Sequence, residues 1–103
     1  MQESLRGHVD LLLLSVLGER PAHGYALAEA LRSRSAGAFD LAEGTIYPAL
    51  YRLERQGLVE SSWEAGQTRR RRVYRLTRRG AGALKRERAA WDEHVNAMRA
   101  VLA

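Results

Sequence analysis

Residues 67–80, QTRRRRVYRLTRRG, thread seven arginines through one tyrosine and two aliphatic residues, with no acid among them. A guanidinium presents paired N–H donors in one plane, a shape that grips two phosphate or carboxylate oxygens at once. Arg69, Arg70, Arg71 and Arg72 are therefore suited to holding a polyanion. A second group, Thr45, Tyr47, Pro48, Tyr51 and Arg52, sets four hydrogen-bonding side chains around a proline in one short segment. Other chemistry is poorly provided for. The chain has no cysteine, which removes disulfides, thiolate metal sites and a cysteine nucleophile. His8, His23 and His94 fall on separate segments with neither an i, i+4 partner nor a carboxylate pattern, so structural roles are expected of them and no metal or other cofactor is implied. No nucleophile with a base, acid pair or phosphate loop can be assembled, and an enzyme is not expected.

The positive charge is local. Nine cations between Arg52 and Arg79 stand against three acids, Glu54, Glu60 and Glu64, while the whole chain carries only +5. A run of like charges is more often a solvated face than a binding site, so its meaning depends on the element that carries it. With 103 residues and 46% hydrophobic content, one domain with a single modest core is expected. No apolar run approaches the length of a membrane span, and MQESLRGHVD lacks the pattern of an export signal, so a cytoplasmic protein without membrane contact is expected.

Val9, Leu12, Leu13, Val16 and Leu17 recur at helical spacing until Gly18 and Pro21 stop them. Tyr25, Leu27, Ala28 and Leu31 give a second, short helix that ends near Gly37. Asp40 and Glu43 have the spacing of a capping box ahead of a third helix, whose apolar stripe is Ile46, Leu50 and Leu53 and whose stop is Gly57. Pro48, which lacks an N–H, places the start of regular bonding only shortly before it. From Leu58 the period falls to two. Val59, Ser61 and Trp63 alternate with Glu60, Ser62 and Glu64; beyond a turn near Gly66, Arg72, Tyr74 and Leu76 share one face and Val73 and Arg75 the other. Tyr25 and Trp63 are expected in core or hairpin packing. Thr77 is a good N-cap for a long last helix reaching Leu102, in which Gly80 and Gly82 weaken only the first turns.

Three helices, a hairpin and a closing helix, in that order, predict a mainly α protein with a β-hairpin: an α+β winged helix-turn-helix over residues 1–76, then a dimerisation helix over 77–103. With Ile46, Leu50 and Leu53 turned inward, Thr45, Tyr47, Pro48, Tyr51, Arg52 and Arg55 are left to solvent, where they suit the groove of a duplex. The wing arginines beside them would reach phosphates. A rival reading keeps the fold and makes the head an interaction module for a protein or structured RNA, with the wing supplying nonspecific attraction.

EGTIYPALYRLERQGLVESSWE followed by RRRRVYRLTRRG, together with HGYALAEAL upstream, resembles the signature of PadR-type transcriptional regulators over residues 9–84. The resemblance implies a homodimeric repressor that binds an inverted repeat of double-stranded DNA near a promoter and leaves it when a small molecule binds. It would put DNA contacts at Thr45, Tyr47, Pro48, Arg52 and the wing arginines. The chain departs from the family pattern at the wing tip, where AGQTRRRR stands in place of a glycine pair before the basic run, and at Val73, where an aromatic is common.

In the last helix, Leu84, Arg88, Trp91, Val95, Met98 and Leu102 step by four and three in turn, a heptad seam with one polar break. Such a helix would be about 39 Å long, more than a small head can cover. Leu84, Trp91, Val95, Met98 and Leu102 are therefore expected to meet a second copy, with a fold back onto the first helix as the alternative. In multidrug-sensing members of the resembled family, a tryptophan at the matching place stacks planar aromatic ligands between subunits. That implies a small aromatic effector at Trp91; filling the interface is the other use open to it.

Overall fold

The structure, a computed structural model, describes residues 2–64 and 71–103, and side chains from residue 8 onward. In chain order the elements are α1 (Gln2–Leu17), β1 (Ala22–His23), α2 (Gly24–Arg34), α3 (Glu43–Arg55), β2 (Val59–Glu64), β3 (Arg71–Leu76) and α4 (Arg78–Leu102). The expected α+β winged helix-turn-helix with a long closing helix is present. Its wing is a three-stranded antiparallel sheet of order β1-β3-β2. The added strand, β1, pairs Ala22 with Tyr74 and His23 with Val73. Two residues display no period, so only this pairing with a distant strand makes them a strand.

The apolar stripes of α1, α2 and α3 meet one face of the sheet. Val9, Leu13, Leu14, Val16 and Leu17 of α1, Leu27 and Leu31 of α2, and Ile46, Ala49, Leu50 and Leu53 of α3 form one core with Val59, Tyr74 and Leu84. Pairing Val59 with Leu76, Ser61 with Tyr74 and Trp63 with Arg72 puts these six residues on the same face, Tyr74 at its centre. Tyr25 and Trp63 do not join the core: Tyr25 is 63% and Trp63 53% exposed. Tyr25 stands in the first turn of α2, off the stripe of Leu27 and Leu31. Trp63 lies at the outer end of the hairpin, where its packing partner is the Arg72 guanidinium, 5.1 Å from the ring centre.

Helix ends follow local chemistry, with one correction. The N-cap of α3 is Ala42, which offers no side-chain acceptor, so the Asp40–Glu43 capping box is not formed. Asp40 instead accepts from Arg32 Nη1 at 3.5 Å, because α3 begins two residues too late for it to cap. α3 ends as expected at Gly57, whose φ of 77° allows Leu58 to donate back to the Leu53 carbonyl at 3.0 Å. α2 ends in the same motif, with Gly37 donating to the Arg32 carbonyl at 2.8 Å, but its left-handed residue is Ala36, at φ 52°. Thr77 caps α4, its hydroxyl accepting from Gly80 N at 3.0 Å and donating to the Gly57 carbonyl at 2.7 Å.

Candidate nucleic-acid interface

At about 100° per residue, the buried stripe of α3 leaves Gly44, Pro48, Tyr51 and Arg55 along the centre of its outer face. Thr45 and Arg52 form one flank, and Tyr47 and Glu54 the other. Thr45 and Pro48 are exposed, and Tyr51 is half exposed, so three of the expected groove residues are free to be read. Pro48 has no N–H to give the Gly44 carbonyl, which leaves an acceptor on the same face. Arg55 is exposed beside them and belongs with this group.

Apart from Thr45, the flanks are engaged within the chain. Tyr47 is half-buried against the start of α2: a β-carbon at Gly24 would come within 2.5 Å of its ring and hydroxyl, so only glycine lets α3 lie this close. Burial raises its phenol above the ordinary value, and the neighbouring Glu43 carboxylate adds to the effect, so Tyr47 stays a protonated donor at neutral pH. Its ring lies 6.3 Å from that of Tyr51. On the other flank the Arg52 guanidinium does not face outward but pairs with Asp10 of α1.

A chain of polar contacts ties α3 to the wing. Ser61 donates to Glu54 Oε2 at 2.6 Å and accepts from Arg72 Nε at 2.8 Å, which uses the hydroxyl in both directions. Arg72 is thus an anchor, half-buried between Trp63 and Ser61, more than a free probe for phosphate. The opposite face of the hairpin pairs Glu60 with Arg75 and Glu64 with Arg71, so acids of β2 stand across from part of the arginine excess. Arg69 and Arg70 lie outside the described residues. Arg71 is exposed, with Nη1 3.1 Å from His23 Nε2. His23 Nδ1 accepts from Ala26 N as the N-cap of α2, which leaves Nε2 as the ring nitrogen turned toward Arg71. The sequence signal for His23, a side chain just ahead of the Gly24–Tyr25 helix start, was the N-cap position itself.

The far side of the molecule carries the other candidate residues. Leu84, expected at a partner-facing seam, belongs to its own chain's core and packs beside Gly18, because α1 lies along the first turns of α4. Arg88, the polar break in that seam, donates to Ser15 Oγ of α1 at 3.2 Å. Beyond them Trp91 is 40%, Met98 48% and Leu102 75% exposed, joined by Val101, with Val95 half-buried. A recess of about 300 Å³ opens between α1, the α2–α3 connection and α4, lined by His8, Leu11, Leu12, Phe39, Arg88 and Trp91 among others. Within it the His8 and Trp91 rings meet edge to face at 5.1 Å. Among the described residues no group of three or more His, Cys, Asp or Glu is placed to hold a metal ion, and no helix is long and apolar enough to cross a membrane.

A helix-turn-helix whose second helix exposes a polar face beside an arginine-bearing hairpin defines the winged helix-turn-helix class. Residues 13–86 match the transcriptional regulator PadR-like family. A transcriptional regulator of Mycobacterium tuberculosis is 38% identical over 93 residues, 90% of this chain and 84% of that protein. The structure of a transcriptional regulator from Clostridium thermocellum superposes with a TM-score of 0.89 at 29% identity, covering 98% of this chain and 99% of that one. A PadR family transcription regulator from Clostridium difficile gives 0.84 at 32% identity, covering 93% and 99%. The chain belongs to the PadR family of transcriptional regulators, and so to a family of regulators and not of enzymes.

Proposed function

We propose that this protein regulates transcription by binding duplex DNA as a homodimer, repressing from an inverted-repeat operator in the cytoplasm. The observation that carries the reading is the outer face of α3, where Thr45, Pro48, Tyr51 and Arg55 stand exposed while the wing is tied to the same helix through Glu54, Ser61 and Arg72. Groove-reading groups and the described strands of the wing are held in one frame. The wing arginines Arg69, Arg70 and Arg71 would take phosphates, the last together with His23.

The stripe on α4 of exposed Trp91, Met98 and Leu102 with half-buried Val95 supports pairing with a second copy, which would set two recognition helices at half-sites about one duplex turn apart. The recess at Trp91 supports release by a small, flat aromatic molecule. Arg88 on its wall favours an effector carrying negative charge over a cationic one. Footprinting on the DNA flanking the gene, repeated across salt, tests the central reading. Protection of a twofold-symmetric site is expected, with affinity falling by about 0.9 per phosphate neutralised on a log–log plot. Equal binding to every duplex, or tighter binding to structured RNA, would favour the interaction-module reading instead.

A further inference from the structure

Arg52 stands on the flank of α3 nearest α1, and its guanidinium is held there. Nη2 donates to Asp10 Oδ1 at 2.5 Å, with the two side chains 23% and 24% exposed. Both partners are desolvated over most of their surface and bound by a charge-assisted hydrogen bond, so freeing either strands a charge that water only partly reaches. Releasing Arg52 toward a duplex would also leave the Asp10 carboxylate unpaired beside a polyanion, which opposes the exchange.

α3 is tied on both sides. Its other flank is fixed by Glu54, which accepts from Ser61 and through it connects to Arg72 of the wing. Between the ties lies an aliphatic stripe, Ile46, Ala49, Leu50 and Leu53. Apolar burial is non-directional and fixes how deep the helix sits better than how it is rolled about its axis. The two polar ties, about 160° apart around the helix by the same wheel, supply the missing rotational constraint. Asp10 itself is carried on the core side of α1, opposite the face on which His8, Leu12 and Ser15 line the recess.

We propose that Arg52 is a positioning residue, whose ion pair with Asp10 sets the roll of α3 and thereby decides which side chains of its outer face meet the base edges. Arg52 makes no contact of its own with DNA. This rests on the DNA-binding reading, and the experiment separates the two. A duplex enriched from a random pool by the wild-type protein, and a scrambled duplex of the same composition, are titrated across salt with wild type, Arg52→Ala, Asp10→Asn and the charge-exchanged Asp10→Arg/Arg52→Asp. Failure of the wild type to enrich any sequence overturns the DNA-binding reading itself. Given enrichment, Arg52→Ala and Asp10→Asn should each lower the ratio of selected to scrambled affinity roughly tenfold, with the salt slope unchanged, and the exchange should restore much of that ratio. The inference is overturned if Arg52→Ala reduces the slope by about 0.9, the mark of a lost phosphate contact, or if Asp10→Asn leaves the ratio unchanged or strengthens binding to both duplexes. Should Arg52→Ala or the exchanged pair melt below the assay temperature, the near-isosteric Asp10→Asn decides alone by the same two readouts.

Discussion

Two glycines on the same helix should answer the same substitution with opposite signs. Gly80 lies in the first turn of α4, where an added β-carbon would overlap the backbone carbonyl oxygen of Leu58 and crowd a Leu76 methyl at 3.0 Å. That carbonyl is already committed to Thr77 N at 3.1 Å, and Thr77 holds the preceding turn through Gly57, so neither side of the joint can yield without losing hydrogen bonds. Gly82, two residues on, would set its β-carbon 3.4 Å from the end of the Arg86 side chain, which can move aside. Helix propensity alone favours alanine by about 1 kcal/mol at an interior position. At Gly82 that gain should survive, giving about 0.5 kcal/mol or more of added stability. At Gly80 it is opposed by an overlap with backbone severe enough to stand at the upper end of the about 1–3 kcal/mol that overpacking costs, and the net should be a loss of about 2 kcal/mol. Urea denaturation at fixed protomer concentration, to keep assembly constant, reads both values. If Gly80→Ala stabilises as much as Gly82→Ala, α4 is not seated against Leu58 and Leu76 as described, and the direction in which it presents Trp91 and Met98 is wrong.

Tyr74 is fully buried with no hydrogen-bond partner for its hydroxyl among the described residues, so Tyr74→Phe should be neutral to stabilising, by up to about 2 kcal/mol in chemical denaturation. Burial, and to a lesser extent Tyr51, raises the Tyr74 phenol above 10.0. The unfolded chain therefore loses this proton first as pH rises; the contribution is complete below the ordinary tyrosine range and is lost above it, and Tyr74→Phe should flatten the alkaline decline seen in melting curves. Ala36, at φ 52° where a glycine is favoured, should yield about 0.5–1 kcal/mol on Ala36→Gly, measured by thermal or urea unfolding. In a Trp63→Phe background, so that only Trp91 emits, flat aromatic carboxylates should quench fluorescence more than flat aromatic cations, and Arg88→Gln should remove the difference; equal quenching by both would discard the charge argument.

The pattern of the chain carried most of the architecture because its signals are local. Val9 to Leu17 at helical spacing, the period-two run from Val59 to Trp63 and the Thr77 cap each needed only neighbouring residues to declare an element. The places that differ are those where a distant residue intervened. Asp40 looked like a cap until α3 started at Glu43 and Arg32 offered it a partner. Leu84 fell on the heptad seam, but α1 lies against the first turns of α4 and claims it for the core. Arg52 shares the outward arc with Tyr51 by spacing, and the Asp10 carboxylate 42 residues away turns it inward.

Side-chain type and order along the chain determined the class of protein: amphipathic stripes need no tertiary information to show which face each helix buries, and arginines on a strand show where the charge will lie. The three-dimensional packing decided the division of labour within that class. Whether an arginine is a probe or a brace depends on which carboxylate or hydroxyl lies within about 3 Å of it, as hydrogen bonding requires. For Arg52 and Arg72 those groups, Asp10 and Ser61, come from elements that only folding brings together.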